Sequence, residues 1–485
     1  MKELAERLRR EAATAFPPDA LVTEPEQLRT YECDGLTGHR VVPALVILAS
    51  SARDVQEAVR LCARLDVPFV ARGAGTGLSG GAVPVAEGVV ISVQRMNRIL
   101  EVDLESERVV VEPGVTNLAV TQAVAAEDYY YAPDPSSQQV CTIGGNVAEN
   151  SGGAHCLKYG FTVNHVTGLD VVLPDGELVR LGGKSLHNED IDLLGAFIGS
   201  EGTLGIATRI TLRVLRRPAA VRTLLAGFDS VGTAGQAVSD VIAAGVLASA
   251  MEIMDRLTLE AAEAAVSAGY PDVDGLLLVE LDGTDEQVVE DAARVVAICE
   301  SLGASEVRVA ENESERARFW QGRKAAFAAM GRVSPSYYVQ DGVVPRSMLP
   351  SVLEQIAALS EEHGLRVGNV FHAGDGNLHP LVLYDASAPG ELERAEELAL
   401  AILEACVEAG GSLTGEHGIG TDKACSMPLM FSETDLATMA RLREAFDPAG
   451  RANPGKLFPT PRLCGEVPGP YRAHPLEQAG RAERL

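Results

Sequence analysis

The sequence offers no route into a membrane. None of its apolar runs approaches the roughly 20 residues that a spanning helix needs. The opening stretch MKELAERLRREAATAF reads as an amphipathic charged helix and not as a secretory signal, so a cytoplasmic protein is expected. Basic charge is also scarce. Lys and Arg total 41 against 68 Asp and Glu, a formal charge of −27, which argues against a nucleic-acid partner and for a solvated acidic surface. Paired cysteines are missing: the eight cysteines are scattered with no Cys-x-x-Cys. That excludes an obvious zinc ribbon or iron–sulfur ligand set, and no disulfide framework is expected. There is no internal repeat and no low-complexity stretch.

What is present is a long globular chain. Its 485 residues, 46% hydrophobic and 22% charged, exceed one ordinary core and predict two or more domains. ALVILAS (44–50) reads as a strand. Ser51 and Asp54 form a capping box for the helix SARDVQEAVRLCARL, with Val55, Val59 and Cys62 on one face. VPFVAR, GVVISV, RVVVEPG and GLDVVLPDG follow as short strands. RRPAA (216–220) marks a boundary. After it, TLLAGF and DGLLLVELDG read as strands, and VGTAGQAVSDVIAAG and TDEQVVEDAARVVAICESLGA as helices, a second unit with its own core. From about residue 460 the chain is polar and rich in Pro and Gly.

ARGAGTGLSGGAVP (71–84) contains Gly75-x-Gly77-x-x-Gly80, the spacing of a dinucleotide-binding turn. A strand precedes it, but the glycines lead into the strand GVVISV where a nicotinamide-binding turn would open a helix. What remains is a loop whose bare backbone N–H groups can ring an anion such as a pyrophosphate, or else a tight turn with no ligand. Two more segments of the same character follow, PDPSSQQVCTIGGNVAENSGG (133–153) and GSEGTLGIAT (199–208). One such loop is weak; three in this order are strong.

These three segments resemble those of the FAD-linked oxidases that share the fold of vanillyl-alcohol oxidase. The resemblance implies an α+β protein. A two-subdomain FAD-binding domain spans 1–217. An α/β cap domain over 218–425 has an antiparallel sheet covered by helices. A return segment, 426–460, packs on the FAD domain, and 461–485 form a tail. By the same resemblance, Arg72, Gly73, Gly75, Thr76, Gly77, Leu78 and Ser79 hold the FAD pyrophosphate. Pro133, Asp134, Ser137, Thr142, Gly144, Gly145, Asn146 and Ala148 line the flavin ring and phosphates, and Glu201, Gly202 and Ile206 lie by the ring and adenosine portion. Some relatives attach FAD through a histidine. His39 and His155 are the nearby candidates and neither sits in a linkage pattern, so FAD is expected to be non-covalent.

The other dense signal is GNVFHAGDGNLHP (368–380). Asp375-Gly376 is a type I′ turn signal between apolar runs. A hairpin centred there sets His372 opposite His379, close enough for two imidazoles to grip one metal ion. The helix ELERAEELALAILEACVEAGG follows, ended by Gly410. Then SLTGEHGIG reads as a strand running into Glu416-His417, where the flanking Gly415 and Gly418 let adjacent side chains enter one pocket. Two histidines and a carboxylate suit a divalent metal with open positions, leaving His417 as a base. A lone histidine is usually structural, but three of the nine histidines lie in these two glycine-flanked stretches.

FHAGDGNLHP and GEHGIG narrow the resemblance to the branch that oxidises D-2-hydroxy acids, and YECDGLTGHR, GRKAAFAAMGRVSPSYYVQDGVVPR and NPGKLFP extend it along nearly the whole chain. The resemblance implies that His372, His379 and Glu416 bind a divalent metal (Zn, Mn or Fe), that His417 is the base, and that Arg323 holds the substrate carboxylate. Read without it, Arg323 is an ordinary solvated helix residue. Asn453 maps beside the flavin. Relatives that take a dicarboxylate carry an extra basic residue near SPSYYVQD, and none stands between Ser334 and Asp341. A short monocarboxylate is therefore expected, with glycolate oxidised to glyoxylate. The resemblance further implies a second flavin-binding subunit and an iron–sulfur subunit that pass electrons to quinone, with membrane contact only through them. The competing readings are a stand-alone D-lactate dehydrogenase, a metal-dependent hydrolase and a non-catalytic assembly subunit.

Overall fold

The structure, a computed structural model, describes residues 2–185 and 191–460; the expected tail at 461–485 lies outside the described residues. The N-terminal helix forms over Lys2–Ala15, with Leu8 and Ala12 buried. Ser51 caps the helix Ala52–Leu65. Its hydroxyl accepts from the Asp54 amide, while the Asp54 carboxylate accepts from the Ser50 amide. Val55, Val59 and Cys62 are all buried, as their spacing predicts. Both helices pack on a four-stranded sheet, ordered Leu21–Val22, Leu45–Leu48, Val89–Ser92, Phe69–Arg72. The last three strands run parallel. They are apolar at nearly every position because both faces are covered: Leu45 and Ile47 meet the helices, and Val46 meets Val22 and Leu28. The glycine loop after Phe69–Arg72 opens no helix and runs irregularly into Val89.

A second sheet is antiparallel throughout, ordered Ile99–Asp103, Arg108–Val111, Ile206–Arg213, Val166–Val172, Leu178–Gly182. Its inner residues, among them Val109, Val111, Leu169, Val171, Ile210 and Leu212, pack on the helices Asn117–Val124, Ile143–Glu149 and Leu193–Phe197. Among the described residues six cysteines are free thiols, while Cys425 is disulfide-bonded.

A seven-stranded antiparallel sheet occupies most of the second half. Its order is Glu306–Val309, Ala220–Phe228, Gly275–Gly283, Ala250–Asp255, Val367–His372, Asn377–Tyr384, Ser336–Val339. The two-residue period of a strand divides its side chains cleanly. On one face Leu224, Ala226, Phe228, Ile253, Leu277, Val279 and Phe371 lie under four helices, Val231–Ala243, Asp285–Ser301, Leu349–His363 and Glu391–Glu408. On the other, Leu225, Ala250, Met254, Leu276, Leu278, Val370 and Leu381 pack with two helices, Arg256–Val266 and Glu313–Ala329. Two helices do not cover seven strands. Glu252, Glu280, His372 and His379 share the parity of this second face, and it is through them that the sheet turns toward the glycine loops. The architecture is the expected α+β one.

Candidate active site

A cavity of about 440 Å³ lies where the glycine loops meet the large sheet. Its wall includes Arg72, Gly73, Gly75, Thr76, Gly77 and Leu78 of the first glycine segment. The second contributes Ser137, Thr142, Gly144, Gly145, Asn146 and Ala148, and the third Glu201, Gly202 and Ile206. Lys324, Phe327, Tyr337, Val339, His379, Glu416 and His417 complete it on the sheet side.

Four residues expected to touch the cofactor lie off this wall. Ser79 is fully buried, and its carbonyl accepts from the amides of Thr421 and Asp422 at 3.0 and 3.1 Å. The Pro133 carbonyl accepts from the Asn117 side chain, and the Asp134 carboxylate binds His155 Nδ1 at 2.8 Å. Asn453 donates to the carbonyls of Gly81 and Glu201, at 2.8 and 2.6 Å, and so ties the first glycine loop to the third. These residues shape the loops rather than face the cavity.

The wall fits a phosphate-bearing dinucleotide. A Cβ on Gly77 would meet only Glu149 Oε1, at 3.9 Å, so the space beside its backbone is the cavity itself. Glu149 Oε2 and Ser200 Oγ belong to wall residues and are buried with no hydrogen-bond partner among the described residues; such atoms call for a polar guest. Burial holds the Glu149 carboxyl well above its ordinary range, and neighbouring Glu201 adds to the effect. Burial also lifts Glu201 to about 7, against the amides of Ile419 and Gly420 that donate to it.

The histidine hairpin differs from the expected one in register. His372 pairs with Asn377, and His379 with Val370. The connection is four residues, 373–376, because it closes through successive bonds from the Asp375 amide to the His372 carbonyl and from the Gly376 amide to the Ala373 carbonyl. A shift of two residues keeps every side chain on its face. The two rings are therefore still neighbours, with centroids 5.0 Å apart. Glu416 Oε1 lies 3.2 Å from His372 Nε2 and 3.1 Å from His379 Nε2. The three ligand atoms fall within 4.8 Å of one another. His372 Nδ1 is taken by Glu252 at 2.9 Å, and His379 Nδ1 lies 3.4 Å from the Gln340 carbonyl. Each ring thus has its Nε2 left toward Glu416, the arrangement that outer partners impose on metal-binding histidines. Burial opposes the His372 imidazolium, but Glu252 and Glu416 outweigh it and hold its pKa well above the ordinary value. Burial likewise opposes the Glu416 carboxylate, and His372 and His379 win there too. The donor set fits a divalent cation.

The expected strand into Glu416 and His417 does not form. Beyond one bridge between Ser412 and Val343, the segment curls around Asp341. This buried carboxylate accepts from the amides of Gly415, Glu416 and His417, at 3.1, 3.2 and 2.8 Å, and from the Thr414 hydroxyl. Consecutive amides converging on one acceptor are incompatible with the alternating N–H directions of a strand. Gly418 follows at φ +89°, and a Cβ there would meet Glu149 at 2.5 Å and Glu201 at 2.7 Å; only glycine fits. The result places both Glu416 and His417 on the cavity wall. His417 stacks on His379 with centroids 4.8 Å apart. Burial pushes its pKa down to about 4 against the pull of Asp341, with His379 adding to the fall.

Arg323 is neither solvated nor on the wall. It is 3% exposed, and its Nε and Nη2 lie 2.7 and 2.6 Å from Glu252 Oε2. Sequence reasoning missed Glu252, Asp341, Glu149 and Lys324. Glu252 had a readable signal: a carboxylate inside the apolar strand Ala250–Asp255, where an unpaired charge would be costly. Asp341 had none, since Gln-Asp-Gly reads as an ordinary turn.

Comparison with known proteins agrees with this geometry. Residues 43–182 match the FAD binding domain family, and 217–457 match the C-terminal domain of FAD linked oxidases. The chain is 52% identical to the glycolate oxidase subunit GlcD of Escherichia coli K12, over 91% of this chain and 89% of that one. It is 32% identical to a D-lactate dehydrogenase of Anaerostipes hadrus, over 86% and 89%. The fold superposes on 4-ethylphenol oxidase from Gulosibacter chungangensis with a TM-score of 0.79 at 19% identity, covering 94% of this chain and 98% of that one. A glycine-lined cavity fit for a dinucleotide, and matches that run nearly end to end, place this chain in the family of FAD-linked oxidases.

Proposed function

We propose that this chain oxidises a short D-2-hydroxy acid, glycolate to glyoxylate, with FAD as its cofactor. The observation that carries the reading is the position of His417. It stands on the wall of the cavity fit for FAD, stacked on one member of the His372–His379–Glu416 set. In this reading residues 1–217 and 426–460 hold the flavin and 218–425 hold the acid. FAD, when bound, would supply the acceptor for the α-hydrogen, which leaves carbon with its electron pair. It is held non-covalently, since both ring nitrogens of His155 are engaged by carboxylates and His39 is not on the wall. His372, His379 and Glu416 would hold a divalent ion (Zn, Mn or Fe), whose chemistry is to acidify a hydroxyl.

The chain's own residues do the rest. His417 takes the hydroxyl proton on its imidazole. A base must be neutral to act, and burial keeps this one neutral above about pH 4. Asp341 fixes the loop that aims it. Glu252 keeps the proton of His372 on Nδ1, which frees Nε2 as a ligand. Electrons then pass to a second flavin-binding subunit and an iron–sulfur subunit on the way to quinone; the word subunit in the name of the bacterial relative supports such an assembly. No helix among the described residues is long and apolar enough to cross a membrane, so membrane contact would come through those partners, and a nucleic-acid partner does not suit the charge. D-lactate is the second substrate reading, favoured by the dehydrogenase relative.

An anaerobic visible spectrum tests the reading. Glycolate should bleach the bound flavin faster than D-lactate, and a chelator should slow the bleaching. His417→Ala should keep its flavin yet leave it oxidised by comparison. Rapid reduction of that variant would remove His417 as the base, and a chain that takes up no FAD would remove the oxidase reading altogether.

A further inference from the structure

A dinucleotide brings phosphate charge into a cavity whose wall already carries three carboxyl groups among the described residues, those of Glu149, Glu201 and Glu416. Two of them are provided for. Glu416 faces His372 and His379, and Glu201 accepts from the amides of Ile419 and Gly420 at 2.7 Å each. Glu149 is not. It makes no ion pair among the described residues, and its Oε2 is buried with no hydrogen-bond partner there. A lone carboxylate in such a place is costly unless it takes a proton.

Glu149 is the last residue of the helix Ile143–Glu149, at the end whose dipole disfavours negative charge. Its carboxyl lies between the first glycine loop and the segment that carries His417. A Cβ on Gly81 would meet its Oε1 at 2.5 Å, and one on Gly418 would meet its Oε2 at 2.5 Å. The same added Cβ on Gly418 would meet Glu201 Oε1 at 2.7 Å, so the two carboxyl groups are neighbours. Glu201 and Asp34 oppose ionisation of Glu149, while Lys423 and Lys456 favour it. Both lysines are engaged elsewhere: Lys423 Nζ lies 3.4 Å from Asp341 Oδ2, and Lys456 Nζ donates to the Val83 carbonyl at 3.0 Å. Burial outweighs them, and the Glu149 carboxyl stays neutral well above its ordinary range. Unlike a carboxylate, a neutral carboxyl can donate a hydrogen bond.

We propose that Glu149 meets FAD as a hydrogen-bond donor, the carboxylic acid being the form that binds. The inference rests on the reading that FAD fills this cavity, and deepens it. The ring carbonyls, ring nitrogens and phosphate oxygens of a flavin dinucleotide all offer acceptors. An ionised Glu149 would bring a further negative charge to them in a buried place and repel them. The sign for pH follows. Binding is strongest while Glu149 holds its proton and weakens as rising pH removes it.

The test is the Kd of FAD for the apo chain between about pH 6 and pH 9, read by flavin fluorescence in the wild type and in Glu149→Gln. The amide keeps a donor and has no proton to lose. Lys456, which burial lowers to about 8, titrates in the same window in both proteins, so a difference in slope belongs to Glu149. The ratio of the wild-type Kd to that of Glu149→Gln should grow roughly tenfold as the pH rises. At the acid end Glu149→Met, which has no donor, should bind FAD roughly tenfold more weakly than the wild type. A ratio that stays level overturns the proposal, and so does one that falls, which would make Glu149 a carboxylate accepting from the cofactor. In the wild type alone, the infrared difference between loaded and apo chain should contain a protonated-carboxyl band moved by FAD, and its absence overturns the proposal as well. Failure of the functional reading itself looks different: the pH profile holds, yet glycolate and D-lactate leave the bound flavin oxidised.

Discussion

Two histidines show how neighbours decide a charge. His417 is pushed down to about 4 by burial. His155 is also largely removed from water, but Asp134 and Glu280 bind its two ring nitrogens, and their pull outweighs burial and raises it to about 10. Between its ordinary value of 6.5 and that figure, the folded chain keeps a proton that the unfolded chain releases. The stability this contributes is complete below pH 6.5 and is lost as the pH rises through 10. His155→Gln should therefore flatten the fall of the melting temperature between pH 7 and pH 10. Identical slopes in the two proteins would show that the histidine is not charged in the fold. For His417 the sign reverses: its neutral form is favoured in the fold, and that stabilisation disappears as the pH drops from 6.5 to 4.

At the scale of elements, the sequence was legible wherever a repeat or a cap fixes the geometry. The Ser51 box, the helix behind it and the alternating strands of the large sheet follow from local chemistry. The pairing expected of His372 with His379 did not form, but the two rings remain neighbours because parity, not register, decides the face. The curl at 414–418 was not legible: its cause, Asp341, lies more than seventy residues away and has no local mark. Nor could spacing reveal that Arg323 lies against Glu252, a contact between a helix and a strand. The glycine loop gives a test at this scale. Gly77→Val would put its side chain into the cavity. The expected result is an FAD affinity weakened roughly tenfold or more by overpacking, measured by flavin fluorescence, with far-ultraviolet dichroism unchanged. Unaltered affinity would mean that the cofactor lies elsewhere.

On the scale of the molecule, the large sheet is clasped to the glycine loops by Lys158 and Tyr159 on Asp282 and by His155 on Glu280. The cavity is shared across that seam. FAD should accordingly stabilise both sides together, by about 2.7 kcal/mol at a hundredfold excess over its Kd. Calorimetry of the apo and loaded chain should show one transition moving up; a second transition left in place would mean that the seam does not couple the two cores. The closing strap has a different consequence. Phe69 donates to the Arg451 carbonyl and accepts from the Asn453 amide, and the Asn453 side chain clips Gly81 to Glu201. Seen from the ribosome, the glycine loops come well ahead of their fastener. All three glycine loops are made long before the residue that fastens two of them, and a chain interrupted ahead of residue 453 would carry the loops without their fastener.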